Sequence, residues 1–204
     1  MAGLPCQYTS LYGQSVAIGL RGGTTLGDVS SSQFEFGRAG QRTAFSGGMF
    51  LMLTGVNQVS FQPELLYSPK GISILGEGGS AIAAIDYVSL PLLIKVSLSE
   101  DASKIRPSVF TGGFFAFEIN CSLSGDISTL STDDGCEAVL ERRGQMDAGF
   151  VIGAAVDIGL ANRFFLTFDG RYDRGLLNLR WEGEGDRRQS RTWSFMGGVG
   201  VLLG

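Results

Sequence analysis

The sequence predicts an all-β protein, an eight-stranded antiparallel up-and-down transmembrane β-barrel. Three observations support this fold class: apolar residues alternate with small or polar ones, eight such segments recur, and the stretches connecting them alternate in length. Alternation with a period of two indicates strands with one apolar and one polar face. In a transmembrane barrel the apolar face is turned toward lipid and the polar face toward the lumen.

The eight predicted strands are each about nine residues or longer, which is the length that a tilted strand needs to cross a bilayer. Their alternation is clearest in "DAGFVIGAAVDIG", where Phe150, Ile152 and Val156 share one face. Asp147 and Asp157 share the other face of this segment. The segments lie near residues 14–23, 43–55, 57–68, 81–97, 105–119, 146–159, 162–174 and 191–203.

The connections predict how the barrel is oriented in the membrane. Long polar stretches follow the first, third, fifth and seventh segments, whereas the short stretches "GVN", "SEDASK" and "LAN" follow the second, fourth and sixth. Outer-membrane barrels have short periplasmic turns and longer extracellular loops. We therefore expect extracellular loops near residues 24–42 and 119–145, and these loops are the expected working surface.

The chain ends lead to an expectation about domains and export. We expect a periplasmic N-terminal segment over residues 1–13 and a single barrel domain over residues 14–204. The opening "MAGLPCQYTS" has no basic region of the kind that begins a signal peptide. Localisation in the bacterial outer membrane therefore assumes that a signal peptide has been removed.

Composition excludes several classes of function. The net charge of −4 and the lack of a basic block argue against nucleic-acid binding. The chain has no histidine, which is the commonest general base and the commonest metal ligand. We therefore predict no enzyme activity, no catalytic residue, no metal site and no cofactor.

The polar faces of the predicted strands place both acids and bases in the lumen. An eight-stranded barrel is only wide enough for side chains to fill it, which argues against an open pore. Enclosed charges are costly unless they are paired, so an internal salt-bridge network is favoured over a binding or catalytic group of Glu64, Asp169 and Arg171. The predicted lumen polar network consists of Arg21, Gln62, Glu64, Lys95, Asp147, Asp157, Asp169 and Arg171.

Two further residue classes lead to expectations about the barrel wall. Aromatic residues near strand ends fit an interfacial girdle, with Trp193, Phe195, Phe164, Tyr172, Tyr67 and Tyr87 as its members. Glycines on the inward faces are expected to leave room beside the larger residues. These glycines are Gly19, Gly149, Gly153, Gly198 and Gly200.

Two of the three cysteines lie in one predicted extracellular loop. A disulfide between Cys121 and Cys136 would contribute about 3 kcal/mol of stability in the chain-entropy model. Such a bond suits an oxidising compartment. Cys6 is left over, and a free thiol is the favoured interpretation for it.

Four stretches resemble PorT-like outer-membrane β-barrel proteins, in the same order and over nearly the whole chain. They are "FQPELLYSPKG" at 61–71, "DYVSLPLLIKV" at 86–96, "RPSVFTGGFFAF" at 106–117 and "FDGRYDRGLLNL" at 168–179. The resemblance implies an outer-membrane barrel with a role in protein secretion, in a larger outer-membrane complex, or as a simple porin-like protein. It implies no catalytic residue.

The hypothesis from the sequence is a non-enzymatic structural anchor or accessory subunit of an outer-membrane secretion or transport complex. Its expected partners are outer-membrane lipid and a larger protein complex. Two alternatives remain open at this point: a soluble lipocalin-like barrel that binds a small hydrophobic ligand, and a narrow porin-like channel.

Overall fold

The structure of the protein is a computed structural model that describes residues 15–29, 39–40, 42–55, 57–76, 79–99, 104–125, 146–160, 163–176 and 190–203. Its strands are β1 (Ser15–Val29), β2 (Ala39–Gly40), β3 (Arg42–Thr54), β4 (Val59–Gly76), β5 (Gly79–Ser97), β6 (Ile105–Gly125), β7 (Met146–Gly159), β8 (Phe164–Gly175) and β9 (Ser190–Leu203). No helix within these ranges is long and apolar enough to cross a bilayer. The predicted periplasmic segment, residues 1–13, lies outside the described residues.

Antiparallel pairing closes the sheet into a barrel. The strands follow the order β4-β3-β1-β9-β8-β7-β6-β5, and β5 pairs with β4 again. The first and last strands are joined over nearly their full lengths, from Val16 opposite Leu203 to Val29 opposite Ser190. The two-residue β2 adds a short pairing to the outer end of β4. Eight strands of the described chain thus form the barrel, which confirms the predicted fold class.

The apolar faces of the strands point outward. On β7 the side chain of Ile152 is 54% exposed, whereas the neighbouring Val151 is only 1% exposed. Phe150 is also exposed on the outer side, and Asp147 is buried on the inner side. The same arrangement recurs on every long strand, as Leu20, Phe61, Ile94, Val109, Phe168 and Val199 illustrate. This orientation suits a barrel surrounded by lipid.

The connections at the outer end of the barrel differ from the prediction. A long loop was expected after the third segment, between the segments 57–68 and 81–97, but β4 continues to Gly76 and β5 begins at Gly79. The sequence "GEGG" at 76–79 is rich in glycine, which is common in turns, and the isoleucines before and after it favour strands. Weak alternation in this region hid the strand pairing. The same effect extends β1 and β6 into the ranges expected to be loops.

The aromatic girdle is also corrected at one position. Trp193 and Phe195 are exposed on the outer wall, and the Trp193 and Tyr172 rings pack at 5.0 Å between centroids. Tyr87 is instead buried, with 3% of its surface exposed, among the lumen-side apolar residues that include Leu93. Its expected place in the girdle is wrong because Tyr87 lies on the inward face of β5, which it shares with the buried Ser89 and Leu93.

The orientation of β7 predicts a strong asymmetry between two substitutions. Ile152→Arg places a charge on the lipid-facing wall in the middle of the strand, and should destabilise the barrel by about 2–4 kcal/mol. The control is Leu160→Arg, because Leu160 is exposed where the chain leaves β7, and its cost should be about 0–1 kcal/mol. Urea titration of folding into lipid vesicles measures both changes, and equal costs would contradict the membrane orientation.

Candidate functional site

Two arginines and two carboxylates meet in the lumen and form what we call the ionic ring: Arg21, Glu64, Asp169 and Arg171. The Arg171 Nη1 lies 2.7 Å from Glu64 Oε2, and its Nε lies 2.8 Å from Asp169 Oδ1. Arg21 also pairs with both Glu64 and Asp169. Each guanidinium therefore contacts both carboxylates, and the four groups form a closed cycle.

Three strands position the ring. Arg21 comes from β1 and Glu64 from β4, while Asp169 and Arg171 both come from β8. Residues two apart on a strand share a face, so the β8 pair points into the lumen together. Gln62 precedes Glu64 by two residues on β4, and its Nε2 donates a hydrogen bond of 2.7 Å to Glu64 Oε1.

The ring is buried and its formal charges cancel. The four side chains are at most 2% exposed. Charges removed from water are tolerated only when they are paired and hydrogen-bonded, because their desolvation costs several kcal/mol per ion. Two positive and two negative groups in mutual contact satisfy this requirement.

Aromatic rings enclose the ionic ring. The Arg21 guanidinium lies 5.6 Å from the Phe50 ring centroid, and the Arg171 guanidinium lies 5.4 Å from that of Phe110. Both distances suit cation–π attraction. Phe50 also meets the edge of Phe165 at 6.2 Å between centroids. The lumen at this level is packed with side chains.

The inward glycines accommodate these aromatic rings. A Cβ at Gly19 would collide with the Phe50 ring, and one at Gly153 would collide with Phe110. The room that the inward glycines were expected to leave is taken up at these positions by the phenyl rings. Glycine is required at Gly19 and Gly153 by this close approach.

Lys95 and Asp157 form a second ion pair on the lumen side. The Lys95 Nζ lies 2.7 Å from Asp157 Oδ2 and 3.0 Å from Oδ1. The two side chains are 7% and 16% exposed, so this pair is less enclosed than the ionic ring. Asp147 is buried as well, and its carboxylate lies beside the backbone of Gly175 on β8.

The structure thus places the eight residues of the predicted polar network in three locations. Arg21, Gln62, Glu64, Asp169 and Arg171 make up the ring and its hydrogen-bonded neighbour; Lys95 and Asp157 pair separately; Asp147 lies near the outer end of β7. Sequence reasoning missed Phe50 and Phe110. Each of these phenylalanines packs over a glycine of the neighbouring strand. Which phenylalanine lies opposite which glycine depends on strand register, so the sequence alone did not indicate them.

The arrangement has a limited chemical repertoire. Both carboxylates of the ring are engaged by two guanidinium groups and are buried away from solvent. No cluster of three or more metal-ligating side chains occurs in the part of the chain that the structure describes.

The predicted disulfide involves Cys136, which lies outside the described residues, and it stays a prediction.

Residues 12–180 match the sequence model of a family described as "Outer membrane protein beta-barrel domain". This match covers most of the chain. The chain belongs to this family. As an outer membrane protein β-barrel it resides in the bacterial outer membrane, in contact with lipid. The soluble lipocalin-like alternative is therefore wrong, in agreement with the outward apolar faces.

Solved outer-membrane barrels share the fold. OprG from Pseudomonas aeruginosa is 13% identical with a TM-score of 0.59, covering 94% of this chain and 97% of that chain. Outer membrane protein W from E. coli is 15% identical with a TM-score of 0.56, and the match covers 95% of this chain and 100% of that chain. Neisserial surface protein A is 12% identical with a TM-score of 0.54, and the match covers 91% of this chain and 96% of that chain. No curated protein sequence matches the chain.

The ionic ring predicts a large penalty for removing one of its charges. Glu64→Gln leaves two buried arginines facing one carboxylate, and should destabilise the barrel by about 3–5 kcal/mol. The double variant Glu64→Gln, Arg171→Gln restores the charge balance. Its cost should fall below the sum of the single costs by about 0.5–3 kcal/mol.

The matched control for this experiment is Asp157→Asn, which breaks the more exposed pair with Lys95. It should cost less than Glu64→Gln when both are measured by urea titration in vesicles. Additive costs in the double variant, or a larger cost for Asp157→Asn, would contradict the coupled ring.

Proposed function

We propose that the protein is a non-enzymatic anchor or accessory subunit of a larger outer-membrane complex for secretion or transport. Its resemblance to PorT-like proteins is the reason for naming this kind of complex. The observation that carries the proposal is the ionic ring, which occupies the lumen between the β1, β4 and β8 walls. A barrel filled in this way serves better as a scaffold than as a conduit.

The packing around the ring supports a closed lumen. Phe50 and Phe110 lie against the two guanidinium groups, and Leu93 is buried nearby on the β5 wall. An ion that passed this level would have to displace paired charges and phenyl rings at the same time. The paired carboxylates also offer no acid or base for catalysis, which favours a non-enzymatic role.

The extracellular end is then the working surface. β4 and β5 continue to Gly76 and Gly79, past the membrane-facing Tyr67, and β6 continues to Gly125 beside them. Strands that extend beyond the lipid-facing wall present backbone and side chains to other molecules. The connection over residues 126–145 leaves from this end, and recognition commonly resides in such segments on a rigid scaffold.

Co-purification tests the accessory role. Replacing residues 126–145 by a short Gly-Ser linker should remove the partner proteins that co-purify with the wild type from native membranes in mild detergent. The control replaces residues 101–103, which connect β5 to β6 at the opposite end, and should retain these partners. If the first variant keeps every partner, this segment is not the docking surface.

A narrow porin-like channel is the second candidate. Small hydroxyl side chains line the lumen beside the ring, among them Ser46, Ser60, Ser108 and Ser194, and such a lining is compatible with water. Single-channel recording in planar bilayers separates the two candidates. We expect the wild type to show no conductance. A reproducible unitary conductance would contradict the closed lumen and favour the channel.

A further inference from the structure

β6 extends beyond its pairing with β7 at the outer end of the barrel. The β6–β7 ladder ends at Phe117 opposite Met146, whereas β6 continues to Gly125. The other side of β6 stays paired with β5 as far as Gly125 opposite Ala81. Among the residues that the structure describes, no second strand pairs with residues 118–125. We call residues 118–125 the open edge of β6.

The open edge lies above the lipid-facing wall. Strand register places Tyr67, Val88 and Phe117 side by side on β4, β5 and β6. Tyr67 and Phe117 are exposed on the outer wall, and tyrosine favours the membrane–water interface. Unpaired backbone groups are not tolerated against lipid. The parts of β4, β5 and β6 beyond this level therefore form a protruding sheet on the aqueous side, and the open edge is one of its sides.

A β-bulge marks the start of the open edge. Tyr87 pairs with Glu118, and the next pair joins Asp86 to Asn120. Ile119 lies between these pairs, opposite no residue of β5, and its side chain is 56% exposed. Bulges are frequent at sheet edges, where they end a pairing or redirect a side chain. This bulge coincides with the end of the β7 ladder and presents an apolar side chain there.

The two sides of the protruding sheet differ in how they are protected. On β4, the stretch above the β3 ladder contains Pro69 and Lys70. β2 then pairs with Ser73 and Ile74. Proline, lysine and a covering segment all hinder a strand edge from pairing with another chain. The open edge of β6 has the sequence "EINCSLSG", which contains neither proline nor lysine. One side is thus protected, and the other has a backbone that can accept a further strand.

The open edge is acidic. One carboxylate oxygen of Glu118, Oε2, is shielded from solvent and accepts no hydrogen bond in the described part of the chain. The facing stretch of β5, residues 79–86, contributes Asp86 and no base, and the open edge has no base either. The Asp86 carboxylate accepts a hydrogen bond of 3.2 Å from the Asn120 amide. A basic side chain on an added strand would supply the donor for Glu118.

We propose that the open edge of β6 docks an extended segment of a partner protein, which adds as an antiparallel strand and places a basic side chain opposite Glu118. This inference rests on the proposed accessory role and specifies how the partner is held. The added strand continues the line of β7 beyond Met146. Backbone hydrogen bonds supply the affinity, and side chains supply the specificity. The connection over residues 126–145 leaves from Gly125, so both belong to one surface.

A synthetic peptide tests backbone pairing on the unmodified protein. The probe is a fluorescein-labelled peptide as long as the open edge, with alternating valine and threonine and one lysine at the position opposite Glu118. Fluorescence anisotropy should show saturable binding to the full chain in lipid nanodiscs. N-methylation of alternate amides gives two further peptides. One should bind at least about tenfold more weakly, because its methyl groups block hydrogen bonds to β6. The other should bind like the parent, and equal binding of the two would overturn the proposal.

Charge specificity tests the contact with Glu118. Replacing the peptide lysine by glutamate should weaken binding about fivefold, since opposite charges across a ladder stabilise it and like charges destabilise it. This preference should disappear in Glu118→Gln. The matched control is Asp86→Asn, which removes an acid from the neighbouring strand and should keep the preference. A preference that persists in Glu118→Gln, or one that is lost equally in Asp86→Asn, would overturn the proposal.

Two results would assign the open edge to a different occupant and overturn the proposal. Peptide binding that appears only after residues 126–145 are replaced by a Gly-Ser linker would mean that the chain covers this edge itself. A dimer in mild detergent that the peptide dissociates would make the occupant a second copy of the chain.

Competition separates this inference from the proposed function. The parent peptide in excess should release the partner proteins that co-purify with the wild type from native membranes, and the blocked N-methylated peptide should not. If the partners stay bound, the accessory role stands and the open edge is not their docking site. If the wild type retains no partner protein, both proposals fail.

Discussion

The pairing of the first and last strands is the constraint on which the rest of the structure depends. Within lipid, every unpaired backbone N–H or C=O costs several kcal/mol, so a sheet in the membrane must have no open edge. The β1–β9 ladder from Val16 to Val29 removes that edge. In the closed barrel, one face of each strand contacts lipid and the other faces the lumen. Charged residues within the membrane span can therefore occupy only the inner face.

The filling of the lumen follows from this division. Charges that cannot reach water must neutralise one another, and Arg21, Glu64, Asp169 and Arg171 do so in a closed cycle. The remaining space is taken by rings such as Phe50, which fits only because Gly19 opposite it has no side chain. The inside of the barrel at this level is therefore filled by buried side chains, although its centre is ionic. A lumen filled in this way agrees better with the proposed scaffold than with a channel.

Strand faces could be predicted from the sequence, whereas contacts between distant strands could not. Period-two alternation places Asp169 and Arg171 on one polar face. It does not reveal that Arg171 also pairs with Glu64, because that contact depends on the register of every intervening strand. Tyr87 shows the same gap: the prediction placed it at the interface, whereas it shares the inward face of β5 with Ser89 and Leu93 and is buried. The register of β5 against β6 shifts between Asp86 and Tyr87, which period-two alternation could not show.

The strands of the barrel extend unequally at their outer ends. β4, β5 and β6 reach Gly76, Gly79 and Gly125, well past Tyr67 on the lipid-facing wall. β8 ends at Gly175 and β9 begins at Ser190, close to the paired rings of Tyr172 and Trp193. A protruding rim offers more surface to another molecule than a short one does. Strand length therefore favours the β4–β6 side as the contact surface in the proposed accessory role.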